Sequence, residues 1–188
     1  MPTARSGVIL VEGPSDRAAV LAVASHLGRS LVDEGVEVVD LGGITNVGRA
    51  IARYGPGGEN LVLAGLYDAA EEHAVTHGLR RSGIVTGRVD RPAIERLGFF
   101  VCDRDLEEEL IRAVGTAGVE RVIEAEGEGR AWRTFQQQPF QVGRPVEARL
   151  RRFIGTKSGR KIRYGSLLVE AVDLEHLPSP LAHLLARI

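Results

Sequence analysis

Four short apolar runs set the frame for the rest of the chain. They are residues 8–11 (VILV), 36–43 (VEVVDLGG), 60–68 (NLVLAGLYD) and 98–103 (GFFVCD), each followed by a stretch of helical pattern. A continuous apolar run of this length suits a strand covered on both faces. Strands that alternate with helices need crossover connections, and these make a mainly parallel sheet with helices on both sides. The alternation predicts an α/β fold to about residue 115. Beyond it the pattern is helical, with helices expected at 116–126, 129–137, 145–154, 158–172 and 178–187. The expected organisation is an α/β domain over 1–115 and a helical C-terminal extension over 116–188, packed on the sheet.

The first run ends in a carboxylate. Glu12 follows the strand, Gly13-Pro14 turns the chain, Ser15 is a candidate cap, and Asp16 opens a helix reaching about Leu27. Ligands of open α/β sheets bind at this carboxyl edge of the strands. The pattern recurs. The third run ends at Asp68, and the fourth at Cys102-Asp103, with Asp105, Glu107, Glu108 and Glu109 close behind. In a parallel sheet these acids emerge on one edge, where they repel one another unless a cation is present. Mg²⁺ takes oxygen ligands and few protein carboxylates. Two such ions about 4 Å apart can clamp both oxygens of an in-line displacement at phosphorus. The plainer reading of Asp16 and Asp105 is that of helix caps.

Charge is unevenly placed. The 188 residues carry a net charge of −1, yet residues 144–163 hold eight cations against one acid, Glu147. That segment is +7, which leaves −8 on the rest. It is either a solvated helix face with long apolar stems or a footprint for phosphates. No apolar run approaches the ~20 residues a membrane span needs. The N-terminus runs straight into the first strand, which predicts no signal peptide and a cytoplasmic protein. The single cysteine, Cys102, lies in an apolar run and reads as a buried, inert thiol.

The string VEGPSD after one strand and GLYD after a later one resemble the Toprim domain of topoisomerases, primases, recombination proteins and OLD (overcoming lysogenization defect) nucleases. DLEEEL, residues 105–110, is similar to a further acidic motif of the OLD nucleases. GRKIRYGSLLVE, residues 159–170, resembles their basic residue at the start of a late helix. The resemblance implies a Toprim-like (Rossmann-like) α/β fold and a nuclease using two divalent ions, Mg²⁺ or Mn²⁺. It implies that Glu12 and Asp16 hold one ion, that Asp68 holds or bridges the other, and that Asp105 and Glu107 complete the sites. Lys161, with Lys157 as the alternative, would stabilise charge on the phosphoryl group. Glu12, Asp68 and Lys161 are thus the expected catalytic residues, and Arg149, Arg152, Lys157, Arg160 and Arg163 the expected nucleic-acid contacts. The second acid of the family's Asp-x-Asp is missing, since Ala69 and Ala70 follow Asp68. Glu71 or Glu72 would substitute, with Glu71 favoured. The expected partner is nucleic acid, DNA ahead of RNA, with a separate ATPase supplying any ATP dependence. The oligomeric state is open, a dimer included. The alternative is a Toprim module without catalysis that binds nucleic acid or an ATPase. A nucleotidyl transferase on the same metals ranks behind both.

Three further features are weighed and set aside. Gly42-Gly43 at a strand-to-helix turn reads as a tight turn ahead of a phosphate cradle. His73 and His77 have the i, i+4 spacing of a zinc pair but no third ligand nearby in sequence. Trp132 and Phe135 are expected to pack the helical part against the sheet rather than to stack on bases.

Overall fold

The computed structural model describes residues 4–188. Strands β1 (Gly7–Val11), β2 (Val36–Asp40), β3 (Val62–Asp68) and β4 (Phe99–Cys102) form one sheet in the order β2-β1-β3-β4. Every pairing is parallel, with Ile9 opposite Val38 and Ala64, and Asp68 opposite Cys102. The period of two along β1 sends Ile9 and Val11 to one apolar layer and Val8 and Leu10 to the other. Both layers are covered, so the strand reads as one apolar run.

One layer is closed by α2 (Val47–Tyr54), α3 (Glu72–Arg81) and α4 (Arg91–Arg96), through Ile51, Val75, Leu79 and Ile94. The other holds α1 (Pro14–His26), α5 (Leu106–Val114), α6 (Thr116–Ala125), α7 (Gly129–Gln136), α8 (Val146–Gly155), α9 (Ser158–Ala171) and α10 (Ser179–Arg187). Val11 and Val23 share that layer with Tyr164, Leu168 and Leu184, so the helical part packs on the sheet. Trp132, Phe135 and Phe153 form an aromatic cluster within the same layer. The Trp132 and Phe153 ring centroids lie 5.3 Å apart, and Trp132 donates to Glu120 at 3.0 Å. Both Trp132 and Phe135 are buried, which removes them as base-stacking surfaces.

One local detail differs from expectation. Ser15 is not the cap of α1. Gly13 holds the cap position with an extended backbone, Pro14 takes the first helical position, and Ser15 is buried inside the first turn. The Asp16 carboxylate reaches back to accept the Gly13 N–H at 3.1 Å. After Asp68 the chain makes a 3₁₀ turn, Ala69–Glu71, before α3 begins.

One glycine matters for the site. Gly165 of α9 lies against the start of α1, where a Cβ would stand 2.8 Å from the Ser15 carbonyl oxygen. Only glycine allows that approach. Lys161 lies one turn earlier on the same face of α9, so the close contact brings its side chain over the first turn of α1.

Candidate metal centre

Strands β1 and β3 are neighbours and parallel, so Glu12 and Asp68 leave the sheet side by side. The 3₁₀ turn then adds the third acid. Three residues per turn stack position i+3 above position i, and Glu71 returns to Asp68. One carboxylate oxygen from each of Glu12, Asp68 and Glu71 lies within 4.8 Å of the others. Glu72 points elsewhere and pairs with Arg91 at 2.9 Å. Of the two substitutes weighed for the missing second acid, Glu71 is the one brought to the centre.

The electrostatics show a site short of positive charge. Burial pushes the Asp68 carboxyl up to about 7, with Asp105, Asp16, Glu12 and Glu71 adding to it. Burial and then a hydrogen bond with Glu12 push Glu71 up to about 7. Asp16 rises to about 6, again through burial first and then the Glu107 charge, against the pull of Lys161. One oxygen of Glu71, Oε2, is buried without a hydrogen-bond partner among the described residues. An orphaned carboxylate oxygen inside a cluster of acids fits a hard cation with oxygen ligands, such as Mg²⁺ or Mn²⁺.

Across the pocket from the triad lies the start of α5. The cavity has a volume of about 410 Å³ and is lined by Glu12, Asp16, Asp68, Asp105 and Glu107 together with two cations, Arg151 and Lys161. Asp105 caps α5, accepting the Glu108 N–H on Oδ1 at 2.8 Å, and its Oδ2 pairs with Arg151. Glu107 pairs through Oε1 with Lys161 at 3.2 Å. Burial raises the Glu107 carboxyl above its ordinary range even beside that ammonium. Burial pulls Lys161 down, but Glu107, Asp16 and Asp105 together push it above its ordinary value, so it stays charged. Of the two lysines weighed, Lys161 lines the pocket, while Lys157 is exposed at the cap position of α9.

Residues 5–54 match the family described as overcoming lysogenization defect protein-like, TOPRIM domain. No curated protein matches the chain. Among solved structures, the C-terminal region of the Burkholderia pseudomallei OLD protein is 25% identical with a TM-score of 0.72, over 96% of this chain and 95% of that one. The C-terminal region of the Xanthomonas campestris pv. campestris OLD protein is 27% identical with a TM-score of 0.72, over 98% of this chain and 92% of that one. The chain has a Toprim-like fold and resembles the C-terminal regions of OLD proteins. The likeness takes in the helical part as well as the sheet.

The expected nucleic-acid contacts divide into groups. Arg152 and Lys157 are exposed, and the Arg152 guanidinium lies 5.7 Å from the Phe140 ring centroid. Arg163 is half-exposed and already pairs with Glu126 at 3.4 Å and Glu128 at 3.1 Å. Arg149 is half-buried and donates to Gln136 at 3.1 Å. Arg160 does not fit the expectation. It is 7% exposed, donates to Glu128 at 2.9 Å and to the Phe153 carbonyl at 3.0 Å, and stacks 4.0 Å from the Phe153 ring centroid. Its charge serves the fold because Glu128 sits directly opposite it. Arg151 was counted in the basic segment but not singled out. A helical wheel could have found it, since successive residues turn by about 100°. Arg151 borders the face of α8 buried through Leu150 and Ile154, whereas Arg152 points away from it.

The set-aside features resolve simply. The Gly42 N–H donates to Asp40 at 2.8 Å and the Gly43 N–H to the Glu12 carbonyl at 3.0 Å, so this is a closed turn. His73 and His77 are exposed with ring centroids 6.3 Å apart, and among the described residues no third ligand joins them. Cys102 is buried, and burial raises its thiol far above the ordinary range, as expected of an inert cysteine. No described helix is long and apolar enough to cross a membrane.

Proposed function

We propose that this Toprim domain is a divalent-metal-dependent nuclease that hydrolyses phosphodiester bonds of nucleic acid. The observation that carries the reading is Glu71. It stands where it can replace the acid missing after Asp68, and it has a buried carboxylate oxygen unpartnered beside Glu12 and Asp68. Glu71 beside Asp68 answers the missing acid at Ala70, which weakens one ground for the alternative of a module without catalysis.

Glu12, Asp68 and Glu71 would hold one ion, and Asp16 and Glu107 offer carboxylates for a second. Fully ionised, these five acids and Asp105 carry −6, against +2 from Arg151 and Lys161. The remaining −4 is balanced by the +4 of two divalent ions. Bound there, Mg²⁺ or Mn²⁺ supplies an activated water and neutralises charge on the phosphoryl group. The chain's own residues do the rest. Lys161, half-buried and held by Glu107, presents a fixed positive charge where negative charge builds on the phosphoryl oxygens. Arg152, Lys157 and Arg163 on the outer faces of α8 and α9 hold flanking phosphates. Such contacts position a strand without reading its sequence, and DNA is the substrate expected ahead of RNA.

The test is nicking of supercoiled plasmid with Mg²⁺, Mn²⁺ or EDTA, beside Glu12→Ala. Nicking that needs metal and falls at least about 10²- to 10³-fold in the variant is expected, with an unchanged circular dichroism spectrum. Cleavage that survives in Glu12→Ala excludes this centre. A protein that takes up Mn²⁺ but never cleaves returns the weight to the binding module.

A further inference from the structure

Both oxygens of Asp105 already have partners within the protein. Its Oδ1 accepts the Glu108 N–H at the cap of α5, and its Oδ2 is taken by both Nε and Nη2 of Arg151. Oδ1 keeps a lone pair beside its single cap bond, whereas Oδ2 is taken up by the guanidinium. Glu107 differs, because its recorded partner is Lys161 on one oxygen only.

We propose that Arg151 is a substrate-phosphate contact and that Asp105 is its positioning residue. The inference rests on the phosphodiester reading above. A guanidinium is a planar fork of five N–H donors whose geometry matches two phosphate oxygens. Asp105 takes one edge of that fork and leaves Nη1 without a hydrogen bond among the described residues. The side chain is 39% exposed and lines the pocket. Among the lining residues only Arg151 and Lys161 are cationic, so an anionic substrate has just these two side-chain charges to meet at the pocket itself.

Ordering explains why an acid would be stationed there. A free arginine loses much rotamer freedom when it grips a ligand. Asp105 is fixed by its own cap hydrogen bond, and it holds the guanidinium in place before substrate arrives. Glu107 does the same for Lys161 two residues further along α5. The start of α5 thus sets two cations at the pocket, a fork on α8 and a point charge on α9.

The experiment uses the full chain, Mn²⁺ calorimetry, and anisotropy of a short labelled DNA oligonucleotide in Ca²⁺ so that cleavage does not enter the readout. The variants are Arg151→Gln, Asp105→Asn and the pair together. Asparagine is as good a helix cap as aspartate, so Asp105→Asn removes the charge and keeps α5. Arg151→Gln should weaken oligonucleotide binding about 10- to 100-fold, the range for a hydrogen bond to a charged group, with the Mn²⁺ stoichiometry of the wild type. Asp105→Asn should keep that stoichiometry, weaken binding less, and add little in the double variant, because it acts through Arg151. A lost Mn²⁺ equivalent in Asp105→Asn would show that it acts through the metal rather than through Arg151. Wild-type affinity in Arg151→Gln, or fully additive losses in the double variant, would also overturn the proposal. A wild-type protein that binds no oligonucleotide sinks the nucleic-acid reading itself, which separates the two failures.

Discussion

The two sides of the pocket differ in what answers their negative charge. Glu12, Asp68 and Glu71 face one another, and among the described residues no lysine or arginine pairs with any of them. Asp105 and Glu107, across the cavity, each have a cation in contact. The cause is topological. Glu12 and Asp68 come off adjacent parallel strands and Glu71 off the turn that follows, so these acids converge on each other. Asp105 and Glu107 open a helix that packs beneath α8 and α9, the two helices of the basic segment. Burial then makes the first arrangement costly and the second tolerable. One side of the pocket calls for a cation from outside the chain, while the other already carries its own and can turn them toward an anion.

Separate losses would break or sustain that division. Lys161→Ala should lower kcat about 10²- to 10³-fold, the cost of removing one group aimed at developing charge, while Mn²⁺ still binds at the triad. Glu71→Ala should do the reverse at the first step, removing Mn²⁺ uptake seen by calorimetry. Glu72→Ala, whose carboxylate pairs with Arg91 away from the centre, should leave both intact. Equal behaviour of the two glutamate variants would show that the 3₁₀ turn does not set the metal site.

Arg160 gives the same contrast inside the basic segment. Arg160→Ala should destabilise the fold by about 3–5 kcal/mol, as expected when one partner of a buried ion pair is removed. Glu128 would be left without its closest cation, although Tyr164 and Arg163 remain bonded to it. Chemical denaturation measures this directly, and a variant as stable as the wild type would return Arg160 to the surface set.

How far such roles can be read from sequence depends on how local they are. The four strands, the late helices and the strand-end acids follow from patterns a few residues long. The structure recovers each helix expected after residue 115 to within one or two positions. Glu71 was accessible for the same reason, as it lies three residues from Asp68. The partners of the basic segment are another matter. Arg160 meets a carboxylate 32 residues away, and Arg151 meets one 46 residues away. A run of arginines states its charge but not which long-range acid each will find. Ser15 failed more simply. A serine after Gly-Pro looks like a cap, but proline already suits the first helical position and moves the boundary back.

The unpaired triad also makes a pH prediction. Asp16, Asp68 and Glu71 hold their protons to about 6, 7 and 7 in the folded, metal-free protein, above the ordinary carboxylate range. A raised folded pKa stabilises the fold fully below the unfolded value near 4, and that contribution is lost as pH rises through about 6 to 7. The metal-free melting temperature should therefore fall from about pH 5 to about pH 8, on the order of 5 °C. Mn²⁺ should restore it at the upper end and do little at the lower, where protons hold the same oxygens. Asp68→Asn should flatten the fall in scanning fluorimetry. A flat profile in the wild type would mean that the triad's charges are already answered.

The smallest effect separates the outer cations from the inner ones. Each phosphate contact on a duplex adds about 0.9 to the slope of log affinity against log salt. Arg152 and Lys157 are exposed, so alanine at either should reduce that slope by about one and weaken all sequences alike. Arg163 divides its charge between Glu126 and Glu128, so its removal should change the slope by less. Arg151→Gln should instead lower affinity at every salt concentration with a smaller change in slope, because its charge is already paired with Asp105 and releases few counterions. If Arg151 and Lys157 gave the same slope change, the pocket would be no different from the surface around it. A difference would place the fork of α8 inside the site and leave the remainder of the segment as a track for the backbone.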